Sequence, residues 1–502
     1  MSVAQNLFAI DTLLIVILGC VVGIILGAIP GMNGGIGVAV LLPFTYTMQP
    51  AAALLFLGAI YMTSSYGGSI AGILINIPGT AESAPTAIEG YQMTKKGKGR
   101  QALYFAGVAS AIGGIIGVLA LIFFTPVLAS LSVKFGPSEM FLVALCGLTI
   151  IGSLSGKSVS KGIFAVLFGV FLGMIGINQM TGETRFTFGI DSLSAGVHLI
   201  PAVIGFFAIA EMIKQITSKN DDGNKRANFR LEKYRLSGVL KMLKEKYKVL
   251  TMKSSILGTL IGLLPGTGGA IASFLAYGES KRSSKKRDEF GKGNPEGIVA
   301  AETANNAAVG GSIVPLLALG IPGSSTSAIM FGALLIHGLV PGPRLFSDHG
   351  DITYTFLIGM LLTVVFMFIF SIIAIPLFAQ FIKVKVEFIM PAVIIFSLIG
   401  AYSVQNSFYD MTIAIICGII GLLFIKLEIP TAPVILGLIL GTIIEDNLVR
   451  TLTIAAAQDT NIFQFILTRP LSIFILALTI YLIYVNYKAI KRERQFNSED
   501  TA

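Results

Sequence analysis

Charge is scarce in this chain. Lys, Arg, Asp and Glu make up 13% of the 502 residues, against about 25% in an ordinary soluble domain, and the mean hydropathy is +0.81. So few charges cannot cover a water-facing surface. None occurs in the 70 residues between Asp11 and Glu82, or between Asp351 and Lys383, so water is not the solvent of those stretches. Cysteine and histidine are scarcer still. Cys20, Cys146 and Cys417 each fall in an apolar run with no CxxC spacing, which argues against a disulfide or metal site and leaves them as small core residues. His198, His337 and His349 stand singly, without the paired spacing of a metal centre, and neither a nucleophile elbow nor a phosphate loop is present. Nothing here has the form of an enzyme site, and no resident cofactor or metal is called for.

What the chain has in abundance is apolar runs. A membrane span needs roughly 20 such residues. Full-length candidates lie near 12–30, 101–124, 160–177, 196–216, 352–375, 407–425 and 470–487. Shorter pieces lie between them, among them 34–48, 51–63, 68–77, 254–264, 268–277, 298–319, 326–338, 388–402, 430–442 and 447–457. The expected fold is an all-α, polytopic integral membrane protein. The net charge of +9 sits in short loops between apolar segments, the distribution of cytoplasmic loops rather than of a nucleic-acid surface. Met1 to Asp11 holds no Lys or Arg and no small-residue cleavage site follows, so the first apolar run reads as a retained helix and not as a signal peptide.

The chain also repeats itself. GAIPGMNGGIG at 27–37 is answered by GLLPGTGG at 262–269, and GGSIAGILINIPGT at 67–80 by GGSIVPLLALGIPGS at 310–324. The first Pro-Gly pair, Pro30-Gly31 and Pro265-Gly266, is offset by 235 positions and the second, Pro78-Gly79 and Pro322-Gly323, by 244. The extra length falls in the polar loop 279–296. That loop holds six basic residues where its counterpart around 43–51 holds none, whereas Lys95, Lys96, Lys98 and Arg100 of the first half are matched only by Arg344. Equivalent loops with opposite charge predict halves inserted in opposite senses. The connector Lys214–Lys253, with twelve basic and four acidic residues, is then cytoplasmic and suits a surface helix. The expected divisions are a first transmembrane repeat at 1–216, a basic linker at 217–253, an inverted second repeat at 254–466, and a final helix with a cytoplasmic tail at 467–502. The N-terminus is expected outside and the C-terminus inside.

Each Pro-Gly element breaks a helix and leaves backbone groups that hydrocarbon cannot satisfy, so it must face protein or a watery cavity. Around the breaks stand small polar residues: Asn33, Gly34 and Gly35; Thr80 and Ser83; Thr267, Gly268 and Gly269; Ser324, Ser325, Thr326 and Ser327. Free N–H groups at helix N-termini, helped by hydroxyls, suit a carboxylate, although Gly and Ser are also ordinary packing residues of membrane helices. Between the breaks, Thr63, Ser64 and Ser65 of the first half and Glu302, Thr303, Asn305 and Asn306 of the second are oxygen-rich residues in apolar surroundings; Ser64, Ser65, Asn305 and Asn306 are candidates for an ion. Glu302 reads either as a proton or cation site or as a helix-end glutamate reaching the interface. Glu82 and Glu89 are ambiguous, and Glu445, Asp446 and Arg450 read as a structural polar cluster at a helix end.

With those motifs, EGYQMTKKGKGRQAL at 89–103, IPGSSTSAIMFGALLIHGLVPGPRLF at 321–346, IPAVIGFFAIAEMI at 200–213 and APVILGLILGTIIEDNL at 432–448, nearly the whole chain resembles the large membrane subunit of the tripartite tricarboxylate transporter family. The resemblance implies a bacterial inner-membrane protein of about a dozen spans. It also implies a small transmembrane subunit and a periplasmic solute-binding protein as partners, and uptake of citrate, other tricarboxylates or related organic anions driven by a Na⁺ or H⁺ gradient. Membrane lipid is its surrounding partner and nucleic acid is not expected. A passive organic-anion channel or facilitator would keep the same fold and is the alternative; a receptor or enzyme built on such a scaffold would need a further domain or a catalytic constellation.

Overall fold

The polar residues that interrupt the apolar runs do not end helices, because their hydroxyls turn back onto the backbone. Thr63 Oγ1 donates to the Ala59 carbonyl at 2.6 Å, and Ser64 and Ser65 donate to that of Tyr61 at 3.0 and 3.2 Å. In the computed structural model, which describes residues 3–29, 31–154, 158–178, 180–217, 234–373, 390–403 and 405–499, the expected pieces 51–63 and 68–77 are therefore one helix. The pieces 430–442 and 447–457 are likewise one.

The principal helices in chain order are α1 Ile10–Ala28, α2 Gly34–Leu41, α3 Pro50–Ile75, α4 Ala84–Lys95, α5 Gly99–Ser132, α6 Pro137–Leu154, α7 Val159–Gly173, α8 Leu199–Thr217, α9 Leu236–Glu245, α10 Lys248–Leu263, α11 Gly268–Ser283, α12 Pro295–Leu319, α13 Ser325–Ile336, α14 Gly350–Ile373, α15 Met390–Ser403, α16 Phe408–Lys426, α17 Ala432–Ala457 and α18 Pro470–Glu499. A two-residue β pairing, β1 Gly176–Ile177 with β2 Thr184–Arg185, lies between α7 and α8. Among the described residues, seven helices are long and apolar enough to cross a membrane: α1, α3, α5, α8, α14, α16 and α17. The chain is a multi-pass, all-α membrane protein. Of the full-length candidates, 160–177 shortens to the 15 residues of α7, and Gly176, at φ 106°, turns the chain into the β pairing.

Polar and apolar surfaces are distributed inside out. Residues 52–74 of α3 and 297–318 of α12 are buried throughout, although both are rich in Ser, Thr, Asn and Gly. Large apolar side chains face outward on the peripheral helices instead: Leu14 and Leu18 on α1, Phe123 and Phe124 on α5, Ile419 and Leu423 on α16. That arrangement suits a hydrocarbon solvent, where close helix contact is gained through small residues. α1 packs on α3 and α10 on α12, while α5 lies along α12. A Cβ on Gly27 would stand 2.3 Å from the Ser64 carbonyl oxygen, and one on Gly262 would stand 2.5 Å from that of Ala308. The backbones touch directly.

The four Pro-Gly elements all interrupt helices, though Pro30 itself lies outside the described residues. α3 ends on Asn76 and α12 on Gly320, both left-handed at φ 59 and 73°. The Gly79 amide then donates back to the Gly68 carbonyl at 3.0 Å, as Gly323 does to Ser312 at 3.2 Å. These matched groups are spaced by 244 positions, and so are Gly67 and Gly311, which meet Gly27 and Gly262. The GGSI strings that suggested the match are spaced by 243. They stand one residue out of step with these backbone contacts.

Three sequence expectations are corrected here. The polar loop expected from 279 begins at Ser284, since α11 continues through the Lys281 and Arg282 turn to Ser283. Glu445 is at the middle of α17, not at its end, and binds Arg185 and Asn178 beside the β pairing. Glu302 is fully buried within α12, so it does not reach the interface. Of the basic connector, residues 218–233 lie outside those described, and 236–245 form α9, which buries Val239 and Leu243.

The loop after α11 is held by one carboxylate. Glu89, fully buried on α4, accepts from Tyr277 Oη at 2.9 Å, from the Gly291 amide, and from the amides of Gly293 and Asn294 at 2.8 Å each. Bonds to a charged acceptor each contribute about 1.5–3 kcal/mol. Glu89→Ala is expected to free this loop and to speed tryptic cleavage at Lys285, Lys286, Arg287 or Lys292 by about tenfold or more, since tenfold corresponds to only about 1.4 kcal/mol. Unchanged cleavage rates on a gel would show that the carboxylate does not hold it.

Candidate functional site

Asn33, at the start of α2, accepts from the Ile36 amide at 2.9 Å and so caps that helix. Ser324 caps α13 in the same way, its Oγ accepting from the Ser327 amide at 3.0 Å while Ser327 Oγ accepts from the Ser324 amide at 2.8 Å. The reciprocal pair fixes the first turn of α13. Gly266 and Gly268, at φ 74 and 61°, turn the chain sharply between α10 and α11; left-handed backbone at both positions favours glycine.

The N-termini of α2, α11 and α13 converge on one cavity of about 350 Å³. Asn33, Gly266, Thr267, Gly268, Gly269, Ser324, Ser325 and Thr326 line it, together with Glu82, Phe206, Phe207 and Glu211 and the start of α17 at Pro430 and Thr431. Helix N-termini carry unpaired amides and partial positive charge. The Ser325 and Thr326 hydroxyls have no protein hydrogen bond among the described residues, and so are free to donate into the cavity. Thr267 is differently placed, since its hydroxyl donates to the Leu264 carbonyl at 3.0 Å.

Other expected residues are not on the wall. Gly35 stands directly behind it, where a Cβ would meet Asn33 Oδ1 at 3.1 Å and Thr326 Oγ1 at 3.4 Å. Gly34 faces Ser64. Ser83 binds the Thr80 carbonyl at 2.8 Å, and Thr80 packs on Gly68. Of the ion candidates, Ser64 and Ser65 spend their hydroxyl protons on α3. Asn305 Nδ2 donates to the Ser65 carbonyl at 3.2 Å, and Asn306 Nδ2 to that of Glu302 at 3.4 Å. The Oδ1 atoms of both asparagines, with Thr303 Oγ1 and Thr80 Oγ1, are buried without a partner. Asn305 Oδ1 points at the first turn of α11, 2.4 Å from where a Gly269 Cβ would be, with Glu82 Cγ 3.0 Å from that same position. A buried amide oxygen without a donor costs about 1–3 kcal/mol, and this one lies behind Gly269 of the cavity wall.

Tyr61 reaches the site from α3, its hydroxyl 2.7 Å from Ser324 Oγ and 3.0 Å from Ser312 Oγ. The composition of the Pro-Gly elements did not reveal Tyr61, Phe206, Phe207 or Glu211. Glu82 was legible as the first charge after the 70-residue gap, but its place on the wall depends on tertiary packing.

The sequence model of the Tripartite tricarboxylate transporter TctA family matches residues 13–436. The chain is 34% identical over 499 residues, 96% of each chain, to an uncharacterized 52.8 kDa protein in the TAR-I ttuC' 3' region of Agrobacterium vitis. It is also 34% identical to an uncharacterized protein in the TAR-II ttuC' 3' region of the same organism, across 44% of this chain and 90% of the relative. No solved structure matches it. A polytopic helical chain with four helix breaks, three of them opening helix N-termini onto one cavity, matched over most of its length by that model, belongs to the tripartite tricarboxylate transporter TctA family.

Proposed function

We propose that the chain is the translocating subunit of an ion-gradient-driven importer of tricarboxylates or related organic anions. The observation that carries this reading is the convergence of three helix N-termini and the free hydroxyls of Ser325 and Thr326 on one cavity. Such a site stabilises a carboxylate by amide dipoles and hydrogen bonds. The carboxylates on its wall, Glu82 and Glu211, support a cation travelling with the anion. A carboxylate about 5 Å from Glu82 is repelled by about 3 kcal/mol at an effective dielectric near 20, and Glu211 adds to that. Co-bound Na⁺ or H⁺ offsets the repulsion, with Asn305, Asn306, Ser64 and Ser65 supplying the oxygens nearby.

In this reading the two halves, 1–216 and 254–466, are inverted repeats joined by the cytoplasmic linker 217–253, and the chain lies in a bacterial inner membrane with its N-terminus periplasmic and the 467–502 tail cytoplasmic. A periplasmic solute-binding protein delivers the anion, and a small transmembrane subunit completes the complex. No enzymatic step is involved. Alternating access follows from movement of the broken-helix elements against the peripheral helices.

The test is uptake of radiolabelled citrate and other carboxylates into proteoliposomes holding the three-component system. Accumulation above the outside concentration is expected when a Na⁺ or H⁺ gradient is imposed and not without it. Equilibration to equal concentrations under every gradient would support the passive facilitator instead.

A further inference from the structure

Four carboxylates are buried among the described residues: Glu89, Glu139, Glu302 and Asp410. Three of them meet a base or backbone amides. Glu89 holds three amides of the loop after α11, Glu139 meets Arg469 and the Gly136 amide, and Asp410 meets His198 at 2.7 Å. Glu302 meets neither. Its partners are three neutral hydroxyls from three helices of the first half: Ser69 on α3 and Thr86 on α4, both to Oε1, and Ser110 on α5 to Oε2.

An ionised carboxylate buried in a membrane helix with no counter-charge costs several kcal/mol, so the group must hold a cation or a proton. The spacing distinguishes the two. Oxygens sharing a metal at about 2.3–2.6 Å and set near right angles stand roughly 3.4 Å apart. Thr86 Oγ1 and Ser110 Oγ lie 2.6 and 2.7 Å from the carboxylate oxygens, which is hydrogen-bond spacing and leaves no room for an ion between them.

We propose that Glu302 is a proton-binding site at the seam where α12 meets α3, α4 and α5, and that its protonated form is the one this packing fits. The carboxylic acid then donates from Oε2 to Ser110 Oγ, and the Ser110 hydroxyl turns its own proton to the Ala106 carbonyl, the usual back-bond of a helical serine. Oε1 continues to accept from Ser69 and Thr86. Both carboxyl oxygens and the three hydroxyls then keep a partner.

The titratable groups near it are few. Tyr66 faces it from α3, and Glu89 lies one turn beyond Thr86 on α4, bonded to Tyr277 of α11. No titratable residue lies within a turn of Ser110 on α5, and on α10 Lys248 and Lys253 point outward. Glu89, which reaches the loop after α11, lies on the polar side of the seam. Loss of the proton places a bare charge there and favours opening toward water. The site itself rests on geometry alone; its consequence for coupled uptake rests on the carrier reading above.

The experiment is infrared difference spectroscopy on the purified full chain, titrated from about pH 5 to about pH 9, with no transport substrate present. The wild type is expected to show a buried carboxylic-acid carbonyl band that disappears on deprotonation. Glu302→Gln should lose that band, and Ser110→Ala should shift it by removing one partner. A band unchanged in both variants, or no protonated carboxyl in the wild type at the acid end, would overturn the assignment. Replacing Na⁺ by choline at fixed pH should leave the band alone; a band that appears only without Na⁺ would make this a metal-ion site and overturn the proton. If Glu302→Gln does not fold, the Ser110→Ala shift decides alone. Because uptake is not measured, failure here is separate from failure of the transport reading.

Discussion

Gly79→Ala is expected to remove most of the folded protein. The new Cβ would stand 1.9 Å from the Gly27 carbonyl oxygen and 3.0 Å from the Gly68 Cα, and both are backbone atoms that no rotamer change can move. Overpacking usually costs about 1–3 kcal/mol. A clash with two backbones at once belongs at or above the top of that range, a large share of the roughly 5–15 kcal/mol that holds a typical fold. Gly323→Ala meets the Gly262 carbonyl oxygen at 2.3 Å and should act in the same direction, less severely. Gly278→Ala is the control, for nothing lies within 4 Å of its Cβ position in α11, and helix propensity favours alanine there by about 0.5–1 kcal/mol. Thermal unfolding and size-exclusion profiles of the solubilised variants rank the three. A Gly79→Ala protein as stable as wild type would show that the break can relax, contrary to the packing described.

Removing the two free hydroxyls of the cavity is expected to have the largest effect on transport without touching the fold. Ser325 and Thr326 form no protein hydrogen bond among the described residues, so Ser325→Ala and Thr326→Val take nothing from the folded state. Hydrogen bonds to a charged group contribute about 1.5–3 kcal/mol each, and each 1.4 kcal/mol is tenfold in affinity. Half-saturation for the carboxylate should therefore rise by about 10-fold or more in each variant, and the double variant should fall below detection at wild-type substrate levels. Ser83→Ala, whose hydroxyl binds the Thr80 carbonyl and not the cavity, should change the folded state more than half-saturation. Equal half-saturation in wild type and the double variant would remove these hydroxyls from the site.

The helix breaks were legible because proline and glycine act locally: a missing donor and an accessible left-handed backbone interrupt a helix wherever they occur. The continuity of α3 was not legible, since hydropathy registers Thr63, Ser64 and Ser65 as polar, whereas in the fold their protons are already spent on carbonyls one turn back. The site divides along the same line. Asn33, Ser324, Ser325 and Thr326 follow directly from their breaks. Phe206 and Phe207 reach the cavity only because α8 packs beside it, in a π-helical turn at Ile204–Ile209 that no spacing rule announces. Thr80 and Ser83 had the right residue types at the right distance from a Pro-Gly pair, and yet their hydroxyls face their own turn and Gly68. Residue type fixes what a break can bind, but tertiary packing decides which break is turned toward the cavity.

The contact of α1 with α3 and of α10 with α12 limits how this molecule can change shape. Side chains can repack by changing rotamers, but where Gly27 lies on Ser64 and Gly262 on Ala308 the surfaces in contact are peptide groups, which have no alternative rotamers. Each pair is keyed like a gear tooth at one register, and a slip would need a whole helical turn, about 5.4 Å. Motion that opens the cavity must then carry each pair as a single stiff block. The compliance has to lie where the chain already departs from helix, at the four interrupted segments and the left-handed residues Asn76 and Gly320 that close α3 and α12.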